Sequence, residues 1–278
     1  MRPFISFSAL GSLITSVSAT GILLPLYVYP AAEWDDNAAN WKPVIEAVEA
    51  HGQLDWTIVV NPNNGPGLSG KPADDDVSFV SGVSQLNAHL NVKTVGYVRT
   101  NYAKAPMDEL KANITNYASW ASYCKADISI HGIFFDKSEA DFDYLNEAIT
   151  YAREAFNQSI TAVCNFGTKA AEEYYDICDI VVAFESCLDC EGLPQYQSQE
   201  TVTTNVPSDL EGKGADALLL TSYAQTLVGG GIGWYYFCSG DYDDITSTPA
   251  TVHQNALSLV NVYSLLEGRI LQITCNAT

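Results

Sequence analysis

Positive charge is scarce in this chain. Thirteen Lys and Arg face 33 Asp and Glu, a formal charge of −20. Phosphate backbones are gripped by basic faces, so nucleic acid is not expected as a partner. Histidine is sparse as well. His51, His89, His131 and His253 are scattered and lack metal-ligand spacing, so neither a metal nor another cofactor is expected. There is no Gly-x-Ser-x-Gly nucleophile elbow. The glycine-rich loop that follows the first strand of a dinucleotide-binding sheet is missing too. Its place is taken by Tyr29-Pro30-Ala31-Ala32. No stretch is long and apolar enough for a confident membrane span.

What is present begins with an export signal. Met1-Arg2 supplies a positive start, an apolar and serine-spaced run follows from Phe4 to Val17, and Val17-Ser18-Ala19 fits cleavage after Ala19. Residues 1–19 are therefore expected to be a signal peptide and 20–278 one domain. Removing Arg2 takes the charge from −20 to −21. Sequons at Asn113, Asn157 and Asn276 agree with export. Seven cysteines in an exported chain imply disulfides and leave at least one thiol unpaired. A composition 47% hydrophobic and 17% charged can fill one large core.

Eight short runs read as strands: Ile22–Tyr29, Trp56–Asn61, Lys93–Val98, His131–Asp136, Ile160–Asn165, Asp179–Glu185, Ala217–Ser222 and Ile232–Phe237. Each is rich in Val, Ile, Leu or aromatics, as buried parallel strands are. Helical patterns lie between them at Asn40–His51, Asp75–Leu90, Met107–Cys124, Asp141–Phe156, Lys169–Asp176 and Pro249–Leu266. Repeated strand–helix order in about 250 residues fits an α/β fold of the closed (β/α)8 TIM-type barrel. An open doubly wound sheet is the competing arrangement.

Barrel chemistry sits at the carboxyl ends of the strands. Those ends carry Tyr29, Asn61, Tyr97 to Thr100, Asp136, Asn165, Glu185, Ser222 and Asp241, all but a few polar or aromatic. The strand starts are plainer. Asp136 closes the sharpest case, where Ile133-Phe134-Phe135 runs straight into charge. A carboxylate at the exit of a buried strand is costly unless it is bonded or used. Glu185 ends the sixth run. If both acids point inward, so do Phe134 on one strand and Ala183 and Val181 on the other. Strands four and six are separated by one strand, so the two carboxyls can approach within several Å, as paired acids of glycoside hydrolysis do. Helix-capping or backbone-bonding roles for both acids are the plain alternative. Tyr27, Tyr29, Tyr97, Tyr102 and Trp234 to Tyr236 can offer faces to sugar rings, although most buried aromatics simply fill core.

The same up-and-down logic sorts the cysteines. Cys124, Cys178 and Cys275 are expected toward the amino-terminal end of the barrel, and Cys164, Cys187, Cys190 and Cys238 toward the other. A strand outreaches a disulfide, so no bridge should join the groups.

Several ordered motifs then resemble the spherulin-4 family of secreted, mostly fungal proteins. They are Gly21-Ile-Leu-Leu-Pro-Leu-Tyr-Val-Tyr-Pro30, Asn61-Pro62-Asn63-Asn64-Gly65-Pro66-Gly67, Gly96-Tyr97-Val98-Arg99-Thr100-Asn101-Tyr102, Tyr117-Ala-Ser-Trp120, Gly132-Ile-Phe-Phe-Asp136 and Phe184-Glu185. The resemblance implies a (β/α) barrel. It also implies kinship with hydrolases of galactosaminogalactan, an α-1,4-linked galactose and N-acetylgalactosamine polymer that is cationic when partly deacetylated. A −21 protein suits such a polymer. Active members carry an Asp-Glu pair after strand four and a Glu after strand six. Asp136 matches the first and Glu185 the third, whereas Lys137 replaces the middle acid. A lysine there favours the carboxylate of Asp136, which suits a nucleophile or charge stabiliser and leaves Glu185 as general acid. Phe166 also replaces the proline that often follows Asn165 in the family.

The reading is thus a monomeric secreted glycoside hydrolase acting on an extracellular polysaccharide. Asp136 and Glu185 are its catalytic pair, and Tyr29, Asn61, Tyr97, Thr100, Lys137, Asn165 and Tyr236 line its subsites. The alternative is a non-catalytic glycan-binding protein of a cell surface or spore wall, which Lys137 favours. A substrate-assisted chitinase-like site would need an Asp-x-x-Asp-x-Asp-x-Glu strand end, and residues 132–139 do not supply one.

Overall fold

A computed structural model describes residues 20–183, 217–237 and 252–275. Strands are β1 (Gly21–Leu26), β2 (Trp56–Val60), β3 (Val92–Arg99), β4 (Gly132–Asp136), β5 (Thr161–Asn165), β6 (Ile180–Val182) and β7 (Trp234–Tyr235). Helices are α1 (Lys42–Ala50), α2 (Val77–Asn87), α3 (Met107–Ser119), α4 (Phe142–Ala155), α5 (Tyr174–Ile177), α6 (Ala217–Gly229) and α7 (Val252–Cys275). The strands pair in the order β6-β5-β4-β3-β2-β1-β7, and every pair is parallel. The first strand lies inside this order with the last one beside it, so the sheet curls into a nearly closed barrel.

Local chemistry explains the elements. β2 and β4 are buried at every position, which suits strands covered by helices on one face and by the barrel interior on the other. α1 buries Val44, Ile45, Ala47 and Val48 at helical spacing, with a proline in its first turn. Asp76 caps α2, its carboxylate accepting from Ser78 N at 2.7 Å and Phe79 N at 3.4 Å. Asp141 caps α4 through Tyr144 N at 3.1 Å.

Alternation along the strands divides the core in two. Ile22, Leu24, Ile58, Val60, Ile133 and Phe135 face the helices. Leu23, Val59, Val95, Tyr97, Phe134, Val163 and Ile180 fill the barrel, joined by Tyr27, Val182 and Trp234. Phe134 therefore points inward and Phe135 outward, as expected from Asp136. On β6 the expectation fails, because Val182 packs inward and Val181 against the outer core. Counting back from Glu185 assumed one unbroken strand, whereas β6 ends at Val182.

Two further expectations need correction. Ala217–Ser222 is the start of helix α6 and not a strand. Among its described side chains Leu220, Tyr223, Ala224 and Leu227 are buried, at spacings of three and four. A short apolar run is ambiguous, and only the full length of this one discloses a helix. The cysteine sorting fails as well: Cys164 and Cys178 form a disulfide with Cα atoms 6.0 Å apart. The strands are staggered, so Ile180, the first residue of β6, pairs with Val163 in the middle of β5. Cys178, two residues earlier, is the C-cap of α5 and stands about level with Thr161 at the start of β5, three residues below Cys164 and not a full strand away, so the chain leaving α5 brings it within bridging reach. Cys124 is free and exposed, while Cys187, Cys190 and Cys238 lie outside the described residues. The bridge spans a sequence separation of 14, and a loop of that size is worth about 3 kcal/mol. Replacing both cysteines by alanine should lower unfolding stability by about that amount, measured by denaturant titration.

Of the sequon asparagines, Asn157 is exposed just after α4. Asn113 is half-buried on α3, its amide 3.6 Å from where a Cβ on Gly65 would stand. Asn276 lies outside the described residues.

Candidate active site

Asp136 is the last residue of β4 and is 9% exposed. Its backbone is locked from both sides. The Asp136 carbonyl accepts from Thr100 N at 2.9 Å and from Thr100 Oγ1 at 3.0 Å. The next carbonyl, of Lys137, accepts from Thr100 Oγ1 at 2.7 Å and Tyr102 N at 2.8 Å. On the other side Ser138 N donates to the Asn165 carbonyl at 2.8 Å, and Ser138 Oγ to Phe135 O at 3.0 Å. Lys137 itself adopts a left-handed backbone, φ 52°. For a lysine this is unfavourable by about 1 kcal/mol, which the surrounding hydrogen bonds offset.

The Asp136 carboxyl group is fixed by its two neighbouring strands. Tyr97 Oη, from β3, donates to Oδ2 at 2.5 Å. Asn165 Nδ2, from β5, donates to Oδ1 at 2.9 Å. The Asn165 amide is itself oriented, because its Oδ1 accepts from Gly167 N at 3.0 Å. That bond leaves the NH2 group to face Asp136. Tyr97 is 4% exposed. Its ring meets Tyr27 edge-on at 5.7 Å and stacks on Phe134 at 6.1 Å. A buried acid gripped by donors from both flanks is chemically a positioned charge, with lone pairs left for a ligand.

The structure therefore gathers Tyr97, Thr100, Asp136, Lys137 and Asn165. Thr100 is fully buried, and its side chain bonds main-chain carbonyls. Lys137 contributes its carbonyl, and its ammonium has no ion pair among the described residues. Asn61 is half-buried, its Oδ1 accepting from Gly65 N at 3.2 Å in the loop after β2. Tyr29 is 40% exposed and donates to Asp76 Oδ2 at 2.8 Å. Burial pushes the Tyr29 hydroxyl above the usual phenol range, and the Asp76 and Asp36 carboxylates push it the same way. Tyr236 follows β7 and packs against the outer core. Glu185 lies outside the described residues, three positions beyond the end of β6. The strand order does put β6 one strand away from β4, as expected.

Ser138 escaped the sequence reading. Its tie to β5 shapes the exit of β4, yet a serine two residues past a strand looks like any loop serine. Removing the Tyr97 hydroxyl tests the grip directly. Tyr97→Phe should lower any turnover at this site about tenfold, one charge-assisted hydrogen bond's worth, while the fold melts normally. Steady-state kinetics beside a melting curve checks it.

Among the described residues no group of His, Cys, Asp and Glu is placed to hold a metal ion, and no helix is long and apolar enough to cross a membrane.

Comparison with known proteins addresses the family and the fold. Spherulin-4 of Physarum polycephalum is 30% identical over 177 residues, 62% of this chain and 46% of that protein. The chain thus spans about half the length of the curated relative it matches. The crystal structure of Aspergillus clavatus Sph3 in complex with GalNAc has the same fold, with a TM-score of 0.68 at 23% identity. The match covers 87% of this chain and 98% of that one. The model of spherulation-specific family 4 matches residues 21–237. The chain belongs to spherulation-specific family 4.

Proposed function

We propose that this chain is a secreted glycoside hydrolase acting inside a polysaccharide that contains α-linked galactosamine or N-acetylgalactosamine. The observation that carries the reading is Asp136, buried at the carboxyl end of β4 and held by Tyr97 and Asn165. A relative in fold binds GalNAc, which makes an amino sugar the substrate class to try first. In this reading the Asp136 carboxylate attacks or stabilises the anomeric carbon as the glycosidic bond breaks. Glu185 gives its proton to the departing oxygen, and water then completes the sugar. A chain of formal charge −20 draws in partly deacetylated, cationic polymer. The leader that ends at Ala19 sends the protein to where such polymers are.

The test is release of reducing ends from partly deacetylated galactosaminogalactan. Cleavage by the intact chain, abolished in Glu185→Gln, supports the assignment; turnover that survives Glu185→Gln removes Glu185 from it. Lys137, standing where the resemblance places an acid, favours a second reading, glycan binding without chemistry. Tight binding of the polymer with no reducing ends after long incubation would replace the first reading with the second.

A further inference from the structure

A cavity lies at the amino-terminal ends of the strands, on the barrel face opposite Asp136. It measures about 310 Å³, within the range of small-molecule sites. Its walls include Thr57 of β2, Lys93 of β3, Thr161 of β5 and Trp234 of β7, with Ser159 and Asp179 just ahead of β5 and β6. The strand register sets Thr57 beside Lys93 and Gly21 beside Trp234. A Cβ on Gly21 would lie 2.4 Å from the Trp234 ring, so only glycine lets the indole lie across the floor of the barrel.

Three features mark this cavity as a place for a ligand. Thr57 Oγ1 is buried, lines the cavity and has no hydrogen-bond partner. Buried orphan hydroxyls are rare, and valine would occupy the same strand position without the unpaired group. Lys93 is exposed at the rim of the cavity, and its ammonium has no ion pair among the described residues. Trp234 is half-buried and offers an indole beside these polar groups. The carboxylate in the wall is already engaged: Asp179 Oδ2 accepts from Ala162 N at 2.8 Å and faces Arg153 Nη2 at 3.4 Å. Its charge is balanced, so the net demand of the cavity is for an anion with hydroxyls.

We propose that this floor cavity binds a sugar acid of monosaccharide size. The ligand carboxylate pairs with Lys93, its ring packs on Trp234, and its hydroxyls satisfy Thr57 and the neighbouring Thr161 and Ser159.

The probe is D-glucuronate, titrated into the full chain by calorimetry at low salt, with D-glucose and inorganic phosphate as comparisons. Glucuronate should bind in the millimolar range, about tenfold more tightly than either comparison. Lys93→Gln and Thr57→Val should each weaken it about tenfold. Thr57→Val keeps the shape of the residue and breaks no bond, so its melting temperature should stay at or above that of the wild type. Asp136→Asn, at the opposite mouth, should leave glucuronate binding unchanged. The proposal is overturned by no binding at tens of millimolar, by glucose or phosphate binding as well as glucuronate, by both floor variants binding normally, or by loss in Asp136→Asn.

Discussion

Asp136→Asn should lower glycan cleavage by about three orders of magnitude while leaving the chain folded and able to hold its substrate. The substitution keeps the size of the side chain and exchanges one oxygen for NH2. Two donors now face that group, Tyr97 Oη and Asn165 Nδ2. The oxygen that remains in the introduced amide can keep one of them. The tyrosine hydroxyl can turn to accept from the new NH2, since a hydroxyl does both, whereas Asn165 Nδ2 is fixed by the Gly167 bond to its oxygen. The variant should therefore place its oxygen toward Asn165 and its NH2 toward Tyr97. The local network stays satisfied, and unfolding stability falls by no more than about 2 kcal/mol. Under the proposed mechanism, what disappears is the negative charge assigned to the anomeric carbon, which matters in the transition state and little in the ground state. The expected signature is a collapsed kcat with oligosaccharide affinity held within about threefold. Turnover within tenfold of the wild type would remove Asp136 from the chemistry and leave it a structural acid.

How much of this was legible beforehand differs by element. Asp136 was, because an apolar run that breaks into charge is a local signal and needs no knowledge of neighbours. Tyr97 and Asn165 were legible as strand-end groups. Their convergence on one carboxyl depended on β3, β4 and β5 being adjacent, which the strand–helix repeat also implied. The disulfide was not legible, because sorting by strand ends set Cys164 and Cys178 a whole strand apart, whereas the chain leaving α5 brings the Cα of Cys178 to 6.0 Å from that of Cys164. Ala217–Ser222 misled for another reason: its local pattern fits two periods, and the packing of α6 selects one. Tyr29, Asn61 and Tyr236 lie just beyond their strands and not on them. β1 stops at Leu26 and β2 at Val60, so Tyr29 and Asn61 stand in loops, where they bond Asp76 and Gly65. Tyr236 follows the short β7 and packs against the outer core.

The largest stability effect should come from a residue with no side chain. Gly132 opens β4, and its register partner on β5 is Thr161. A Cβ on Gly132 would lie 2.1 Å from the Thr161 carbonyl oxygen, 2.9 Å from its carbon and 3.0 Å from its nitrogen. All three are backbone atoms, so no rotamer change relieves the clash. Either β4 and β5 separate, breaking the bond from Thr161 N to His131 O at 3.0 Å, or β4 shifts and carries Asp136 with it. Overpacking of this kind costs about 3 kcal/mol or more, which for a chain of this size is a fall in Tm of about 10 °C. Gly96 is a milder case, since its added Cβ would meet the ring of Tyr117 at 2.6 Å, and a ring can tilt where a strand cannot. Gly52 is the control, with nothing within 4 Å of its Cβ position. Thermal unfolding should therefore rank Gly132→Ala well below Gly96→Ala, with Gly52→Ala close to the wild type. A Gly132→Ala protein that melts within about 2 °C of the wild type would mean that β4 and β5 are not paired as described. The route by which two strands place Asn165 against Asp136 would then have to be drawn differently.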